Sequence, residues 1–317
     1  MVLTQRTGSW PDFVPEHDSV MHVVGRESEL AWLETQAMTR TPPCVSVEGP
    51  DGAGRTTILR TLAERLMLRG HPVVWVDGAE LPKTAPERFV RAVRDGIVRR
   101  ASRGGVVLLD DADVLAARLP QLVSDLARDV ATTRVPLFVG RGPGSAEWLT
   151  PLCAGRPLTS LAVPDLQPAA VVTYLQRRQV LVGDAWEVVA RTHGHPLLVA
   201  LVADVAVATG EVQIPAADFD TVARRLSRRL LRGTAHVGIR IALSALALGE
   251  RLTDDDFAAI LGEDRFEAAI AGLKRLAVVD HNVAGYALHP LVRDGILADD
   301  LPATKSLLEQ TKQLLAS

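Results

Sequence analysis

A glycine-rich stretch at residues 49–57 restricts the fold of this chain more than any other part of its sequence. A short run with apolar Val45 and Val47 precedes it, and an apolar helical pattern over residues 58–68 follows it. A strand, a glycine loop and a helix in this order form the setting of a phosphate-binding loop, because the glycines let backbone N–H groups turn inward. The stretch consists of Gly49, Pro50, Asp51, Gly52, Ala53, Gly54, Arg55, Thr56 and Thr57.

Position 55 departs from the usual pattern of such a loop. Arg55 stands where the pattern has lysine, and it is followed by Thr56, whose hydroxyl is placed to ligate Mg²⁺. Arginine keeps the positive charge but replaces a compact ammonium by a planar fork. We therefore expect phosphate binding to survive this change more readily than fast hydrolysis. The alternative interpretation is an ordinary glycine turn between a strand and a helix.

Composition indicates a globular protein of two or three domains. The chain has 317 residues, of which 47% are hydrophobic and 23% charged. Two cysteines, Cys44 and Cys153, give neither a disulfide framework nor a Cys/His zinc spacing, which fits the cytoplasm. The longest apolar run, residues 197–208, contains Asp204 and predicts a buried helix, so no membrane is expected. A net charge of −3 does not call for nucleic acid.

A second strong signal is an apolar run that ends in two adjacent carboxylates. Residues 106–109 are all apolar, as is typical of a central parallel strand buried on both faces, and Asp110 and Asp111 follow them. In enzymes with a phosphate-binding loop, the first acid holds Mg²⁺ through water and a following acid polarises the attacking water. The pattern thus predicts Asp110 at magnesium and Asp111 at water activation, unless the pair is an ordinary acidic strand end.

Strands that alternate with helices predict a parallel, three-layered α/β sheet, with ligands at the carboxyl ends of its strands. One further apolar run, residues 135–140, ends in Arg141. We expect this cation beside Asp110, near the γ-phosphate, where it would sense which nucleotide is bound. An incidental surface role is the alternative. The remaining strands are expected near residues 72–76 and 158–163, with helices over residues 86–100 and 120–132.

From residue 165 onward the sequence predicts helices, over residues 168–179, 184–192 and 196–208. Pro196 suits a first helical turn, and the neighbouring histidines have no carboxylate or cysteine cluster that would support a metal. Five arginines lie within residues 224–232, where a solvated helix face, an interdomain contact, a partner contact and a nucleic-acid contact all stay open.

Residues 236–297 form a compact pattern of three helices and a hairpin. The helices are expected over residues 237–248, 257–261, capped by Thr253, and 266–276, and the hairpin over residues 278–280 and 286–288. This order is typical of a winged helix. His289 follows the wing directly.

Together these motifs resemble the STAND class of P-loop ATPases (signal-transduction ATPases with numerous domains). The likeness is greatest to the ATPase modules of large ATP-binding LuxR-type bacterial regulators, with the NB-ARC modules of apoptosis and plant immunity more distant. It covers residues 22–297. The motifs are, in order, Val24-Gly25-Arg26-Glu27, residues 49–56, residues 108–113, Arg141, Gly194-His195-Pro196 and His289-Pro290-Leu291-Val292-Arg293-Asp294.

The resemblance implies roles for individual residues. The backbone of Val24, Gly25 and Arg26 would border adenine, and Pro196 would pack on it. His289 would reach the β-phosphate of ADP and hold a closed resting state, while Arg141 matches the sensor arginine.

Two departures from the family pattern concern Pro290, where members often have Asp, and Arg55, which weakens the expectation of turnover. The sensor repeats and effector usual in the class are not expected here, since only about twenty residues follow the wing. Either a fragment of a longer regulator or a minimal protein fits.

The sequence as a whole predicts a P-loop NTPase parallel sheet with helices on both faces, followed by a helical lid domain and a winged-helix domain. The boundaries are a flexible arm over 1–20, a nucleotide-binding domain over 21–163, the lid over 164–233, the winged helix over 234–297 and a C-terminal helix over 298–317.

The expected function is an ATP/ADP-binding molecular switch with slow or regulated ATP hydrolysis, which controls signalling or transcription through interdomain opening and partner engagement. ATP or ADP and Mg²⁺ are the expected cofactors. Asp111, Arg55 and Arg141 would act in hydrolysis, and Thr56 and Asp110 would hold the metal. A protein partner, or a second copy of the chain, is expected on the lid or winged-helix surfaces.

Two alternatives stay open. One is a DNA-associated AAA-type ATPase, such as an initiator or transposition helper, that uses the winged helix. The wing tip over residues 280–285 carries no lysine or arginine, so it lacks the positive charge that binding to DNA phosphates requires. The other is a non-hydrolysing nucleotide-binding scaffold, for which Arg55 is the best support.

Overall fold

The chain divides into two units, Met1–Pro164 and Asp165–Ser317. The computed structural model describes residues 23–39, 44–78, 95, 105–133, 135–143, 147–153, 155–180, 185–212, 214, 219–249, 251–274, 276, 278–282 and 285–316. The predicted arm over 1–20 and, except for residue 95, the predicted helix over 86–100 lie outside the described residues. The finer predicted division into lid, winged helix and C-terminal helix stays a prediction.

Five parallel strands form the sheet of the first unit, in the order β2-β3-β4-β1-β5. The predicted fold class is confirmed by this sheet. Strand β4 lies between β1 and β3, so the segments that follow these two strands emerge at the same edge. The strands are β1 (Cys44–Glu48), β2 (Val73–Asp77), β3 (Val106–Asp110), β4 (Leu137–Arg141) and β5 (Leu158–Ala162).

Helices cover both faces of this sheet. They are α1 (Glu27–Ala37), α2 (Arg55–Leu68), α3 (Ala112–Arg118), α4 (Pro120–Thr133) and α5 (Leu149–Cys153). On β3, Leu108 points into a core shared with α1 and α2, and Leu109 points into a core shared with α3, α4 and α5. Because alternate residues of a strand face opposite sides, a strand covered on both faces has a continuous apolar run, as predicted for residues 106–109.

The second unit consists of helices and one two-stranded antiparallel hairpin. Its grouping into a winged helix stays a prediction, although helices and a hairpin occur in the expected order. The elements are α6 (Pro168–Arg177), α7 (Ala185–Thr192), α8 (Pro196–Thr209), α9 (Phe219–Gly233), α10 (Val237–Leu248), α11 (Asp254–Leu261), α12 (Glu263–Leu273), β6 (Val279–Asn282), β7 (Gly285–Leu288), α13 (Pro290–Leu297) and α14 (Pro302–Ala316).

Three short helices, α3, α5 and α13, are not predicted by the sequence. They have 7, 5 and 8 residues, so each gives little room for a helical period of apolar residues, and among the described residues none of the three shows a side-chain cap as clear as that of Thr253. The predicted cap at Thr253 is confirmed. Its hydroxyl accepts from the N–H of Asp256, whose carboxylate accepts from the N–H of Thr253, and these bonds lower the pKa of Asp256.

The arginine-rich helix α9 contacts α13 and the segment that follows it. Arg228 donates to the carbonyls of Gly295 and Ala298, at 3.3 and 2.7 Å, where a cation also suits the negative end of the α13 dipole. Arg232 lies 3.6 Å from Asp299. Of the alternatives predicted for this helix, an intramolecular contact therefore applies to these two arginines.

A buried ion pair joins α8 to the end of α6 and the start of the hairpin. Asp204, the acid that interrupts the apolar run, is 0% exposed and pairs with Arg178. Its second oxygen accepts from the backbone N–H of Val278 at 3.2 Å. The apolar α8 is thus a core helix. In the part of the chain that the structure describes, no helix is both long and apolar enough to cross a membrane.

We predict that Asp204→Ala lowers the free energy of unfolding by about 3–5 kcal/mol, because it leaves the Arg178 guanidinium buried without its counter-charge. Urea denaturation followed by circular dichroism measures the loss. Asp300→Ala is the matched control, since Asp300 is 94% exposed where it pairs with Lys305, and such pairs contribute up to about 1 kcal/mol. Equal losses in the two variants would contradict a stabilising role for the buried pair.

Candidate functional site

The glycine loop connects β1 to α2 with its backbone shaped for an anion. The N–H of Ala53 donates to the Pro50 carbonyl at 3.2 Å and closes a turn. Gly54, the residue before α2, has φ 91°, a left-handed conformation that glycine adopts without strain. Glycine offers no capping oxygen, so the first N–H groups of α2 are left for a bound anion. The predicted loop thus has the backbone that phosphate needs.

Arg55 folds back onto this loop. Its Nη1 donates to the Gly49 carbonyl at 2.8 Å. Its Nη2 lies 3.1 Å from Oδ1 of Asp51 and 3.6 Å from Oδ1 of Asp111. The Arg55 side chain is only 11% exposed as a result. A planar fork can reach a carbonyl and two carboxylates together, which one ammonium group does less readily.

Asp110 ends β3 as a buried carboxylate, 1% exposed. Among the described residues, neither of its oxygens accepts a hydrogen bond of good geometry, although the Thr56 hydroxyl and the Asp111 backbone lie close enough to lower its pKa. Burial, and after it the charge of Asp111, raise the pKa of Asp110 to about 6, against the lowering effect of Thr56 and Arg60. An unpaired buried carboxylate is costly unless a cation neutralises it. The position of Asp110 near Thr56 therefore fits a magnesium site.

Two protein ligands are enough for such a site. Mg²⁺ keeps several waters and is usually held by one or two carboxylates together with substrate phosphates. In the described ranges no group of three or more histidine, cysteine, aspartate and glutamate side chains is placed to hold a metal by itself. Asp110 and Thr56 fit Mg²⁺ that arrives with a nucleotide.

Asp111 begins α3 with φ 44° and ψ 45°. This left-handed conformation is uncommon outside glycine, and aspartate is among the residues that tolerate it. Burial raises the pKa of Asp111, Arg55 opposes the rise, and the charges of Asp51 and Asp113 add to it. The structure brings the predicted water-activating acid next to the predicted phosphate-binding arginine, as its ion-pair partner.

The Gly-Arg-Glu box lies against the glycine loop. Arg26 is buried, and its Nη2 donates to the Pro164 carbonyl at 2.6 Å and the Ala53 carbonyl at 3.4 Å. Its Nη1 pairs with Glu29 at 3.4 Å. Val24 is buried two residues earlier. The box is therefore fastened both to the loop and to the last residue of the first unit.

Arg141 does not extend toward Asp110 as the sequence analysis expects. Its Nε donates to Ser46 Oγ at 2.8 Å and its Nη2 lies 2.8 Å from Oε1 of Glu48, both on β1. Gly140, the preceding residue, is the β4 neighbour of Asp110, so strand alternation turns Arg141 to the opposite face of the sheet. The side chain makes a buried contact with β1, and the sensor role expected for Arg141 stays a prediction.

Pro196 and His289 belong to the second unit and are described within it. Pro196 is the first residue of α8, directly after the loop whose Gly194 carbonyl accepts from the N–H of Leu166 at 2.8 Å. His289 caps α13, and its Nδ1 accepts from the N–H of Leu291 at 3.3 Å. A neutral imidazole in this arrangement carries its proton on Nε2, which is then a hydrogen-bond donor.

Two residues of the site are missed by the sequence analysis. A Cβ on Gly140 would lie 2.7 Å from Oδ1 of Asp110, so glycine provides the space for the carboxylate. The signal for it is a glycine inside a buried strand. Arg60 lowers the pKa of both Asp110 and Asp111. Its spacing of four residues from Thr56 puts both on one side of α2.

Comparison with known sequences gives one informative similarity. Over 166 residues the chain is 31% identical to a shikimate kinase of Saccharopolyspora erythraea, across 43% of this chain and 93% of the kinase. No protein-family model matches.

Among solved structures, the chain is similar to a Signal Transduction ATPase with Numerous Domains (STAND) protein with a tetratricopeptide repeat sensor from Pyrococcus horikoshii. The TM-score is 0.60 at 14% identity, across 98% of this chain and 47% of that protein, so this chain spans about half of its length. A Walker-type ATPase of Pyrococcus abyssi gives a TM-score of 0.47 at 17% identity, across 86% of this chain and 95% of that one. The predicted resemblance to STAND ATPases is confirmed at the level of the fold.

We predict that Glu48→Gln destabilises the first unit by about 2 kcal/mol at pH 7, because it removes the charged partner of Arg141. Burial raises the pKa of Glu48, but hydrogen bonds from Ser160 and Ser46 and the Arg141 charge outweigh it, so the pKa is lowered. A lowered pKa stabilises the fold above the unfolded value of about 4.3, and this stabilisation is lost as pH falls through the folded value.

Urea denaturation of both proteins at several pH values tests this. The difference in unfolding free energy is expected to stay constant from about pH 7 to 5 and to shrink below about pH 4.5. Glu309→Gln, at an exposed pair with Lys312, serves as the control and should change little at any pH. A difference that grows in acid would contradict the proposed contact.

Proposed function

This chain belongs to the P-loop NTPases and has the fold of a STAND-type ATPase, and on that premise we propose that it is an ATP/ADP-dependent molecular switch. The observation that carries the proposal is Asp110, a buried carboxylate that no described residue meets with a hydrogen bond of good geometry, beside the Thr56 hydroxyl and behind an anion-binding loop. A carboxylate in this setting is neutralised by Mg²⁺ that accompanies a polyphosphate.

Nucleotide binding would use the chain's own groups as follows. The N–H groups at the start of α2 take the phosphates, and Thr56 and Asp110 hold Mg²⁺, which supplies charge neutralisation when bound. The backbone of Val24 and Gly25 borders adenine, and Pro196 packs on it, both by resemblance to the STAND class. Arg26 supports the position of Val24 and Gly25 beside the loop, because it ties the box to Ala53 within the first unit.

The contacts of Arg55 favour slow hydrolysis. An acid that polarises water must be able to take up or direct a proton, and the Arg55 guanidinium, 3.6 Å away, instead stabilises the charged form of Asp111. Arg55 also lies against Gly49 and Asp51, so its charge is already partly satisfied within the loop. Holding a nucleotide is therefore favoured over turning it over.

The switch itself requires that ADP and ATP prefer different states. A ligand shifts an equilibrium only by its difference in affinity for the two states, and a change from 1:99 to 99:1 needs about 5.5 kcal/mol. The Nε2–H of His289 would donate to the β-phosphate of ADP and favour a closed state. Release of this contact would expose lid or winged-helix surfaces to a protein partner or to a second copy.

We predict that His289→Ala raises the dissociation rate of ADP roughly tenfold, because a hydrogen bond to a charged group contributes about 1.5–3 kcal/mol. Stopped-flow displacement of a fluorescent ADP analogue measures the rate, and light scattering follows the oligomeric state. His236→Ala is the matched control, since His236 caps α10 through its own imidazole in the same unit. If ADP release and oligomeric state match those of the control, the proposed contact between His289 and the β-phosphate is wrong.

We predict that Arg55→Lys increases single-turnover ATP hydrolysis roughly tenfold or more, because lysine releases Asp111 for general-base work. Adding Asp111→Asn to Arg55→Lys should remove the gain in hydrolysis rate. Asp110→Asn, measured separately, should abolish the Mg²⁺ dependence of nucleotide binding. Arg69→Lys, on the exposed end of α2, is the control for the exchange itself.

The same experiment separates the switch from a non-hydrolysing scaffold, the second candidate. The three contacts of Arg55 favour this candidate, because they leave neither its charge nor Asp111 ready for chemistry. Wild-type and Arg55→Lys proteins that both bind ATP without hydrolysing it would support the scaffold. The DNA-associated ATPase stays a prediction. Lys274, a cation close to the predicted wing, lies 6.0 Å over the Tyr286 ring.

A further inference from the structure

The glycine loop contains an acid that faces its own arginine. Oδ1 of Asp51 accepts from Nη2 of Arg55 at 3.1 Å, across the turn that leads into α2. The Asp51 side chain is 80% exposed, whereas that of Arg55 is 11% exposed. The carboxylate is therefore the solvent-facing side of this pair, and it has room to turn into solvent while the buried guanidinium stays in place.

The side-chain charge of the loop cancels as a consequence. Residues 49–57 contain one acid, Asp51, and one base, Arg55, so their formal charges sum to zero. With lysine and no acid, the same loop would present one uncompensated positive charge to a phosphate. Here the attraction for an anion comes from backbone N–H groups and the α2 dipole, while the guanidinium already has a carboxylate partner.

We propose that the Asp51 carboxylate is an internal competitor of phosphate for the Arg55 guanidinium. The inference rests on the proposed nucleotide site and deepens it, since it concerns which ligands that site accepts. The guanidinium is a planar fork of N–H donors that takes either a carboxylate or a phosphate as its partner, and the two cannot occupy the same N–H groups at once. A ligand must displace Asp51, and a diphosphate or triphosphate has more charge with which to do so than a monophosphate.

Asp111 is the less effective competitor. Its Oδ1 lies 3.6 Å from Nη2, beyond the range of a good hydrogen bond. Displacement by phosphate therefore acts first on Asp51, and the pair with Asp111 can persist when a nucleotide is bound.

A purely structural role for Asp51 has the opposite consequence. If the pair with Arg55 served to hold the loop in its binding shape, removing the charge would weaken nucleotide binding. If Asp51 competes, removing the charge strengthens it. The competitor's effect must also depend on the number of phosphates and on ionic strength, because exposed charges are screened by salt.

The test is isothermal titration of ADP, AMP and pyrophosphate into the full chain at low and high NaCl. Asp51→Asn keeps the shape of the side chain and should bind ADP and pyrophosphate about three- to tenfold more tightly, on the scale of a unit charge at several ångströms near a protein surface. The gain should be smaller for AMP and should shrink at high salt. Asp51→Glu should stay within about twofold of wild type because the charge is kept. Asp255→Asn, an exposed change of equal charge in the second unit, should have no effect.

The outcomes separate this inference from the function on which it rests. Wild-type binding of ADP with unchanged or weaker binding in Asp51→Asn, or an equal gain in Asp255→Asn, overturns the inference and leaves the proposed function standing. A gain that is the same for AMP and insensitive to salt also overturns it. No binding of ADP or pyrophosphate by any of the proteins overturns the proposed function, and the inference with it.

Discussion

The position of β4 between β1 and β3 is the constraint on which the candidate site depends. Parallel pairing on both sides of one strand brings the glycine loop after β1 and the acids after β3 to one edge of the sheet. Two consecutive residues of strand β4 contact the two neighbouring strands, one on each face of the sheet. Gly140 leaves room for Asp110 on one face, and Arg141 binds Glu48 and Ser46 on the other. The site is thus built across three strands and not within the glycine loop alone.

Features with a local signature could be predicted from the sequence. The glycine loop and the apolar run before Asp110 are of this kind, because glycine spacing and burial on both faces are visible within a few residues. Contacts between distant segments could not be predicted. Arg141 was expected beside Asp110, but strand alternation decides which face its side chain takes. The pairing of Arg55 with Asp111 depends on the relative positions of a helix and a strand, which no spacing reveals.

Within the second unit, segments predicted as separate domains share buried polar contacts. Asp204, in the predicted lid, accepts from the backbone of Val278 at the start of the hairpin, and Arg228 binds the end of α13. Any opening between these segments must break the bond to the buried Asp204 carboxylate, which then loses part of the compensation for its desolvation. Within this unit, segments tied together this closely are expected to move as one body.

The backbone at Asp111 has a consequence for how hydrolysis can be lost. A left-handed residue at this position is best filled by glycine, asparagine or aspartate. Asparagine and glycine are each one nucleotide substitution away from an aspartate codon, and both satisfy the turn while removing the carboxylate. The backbone conformation at this position therefore does not by itself require the acid. Descendants of such a chain can drift from slow ATPases into pure nucleotide-binding proteins without a destabilised intermediate.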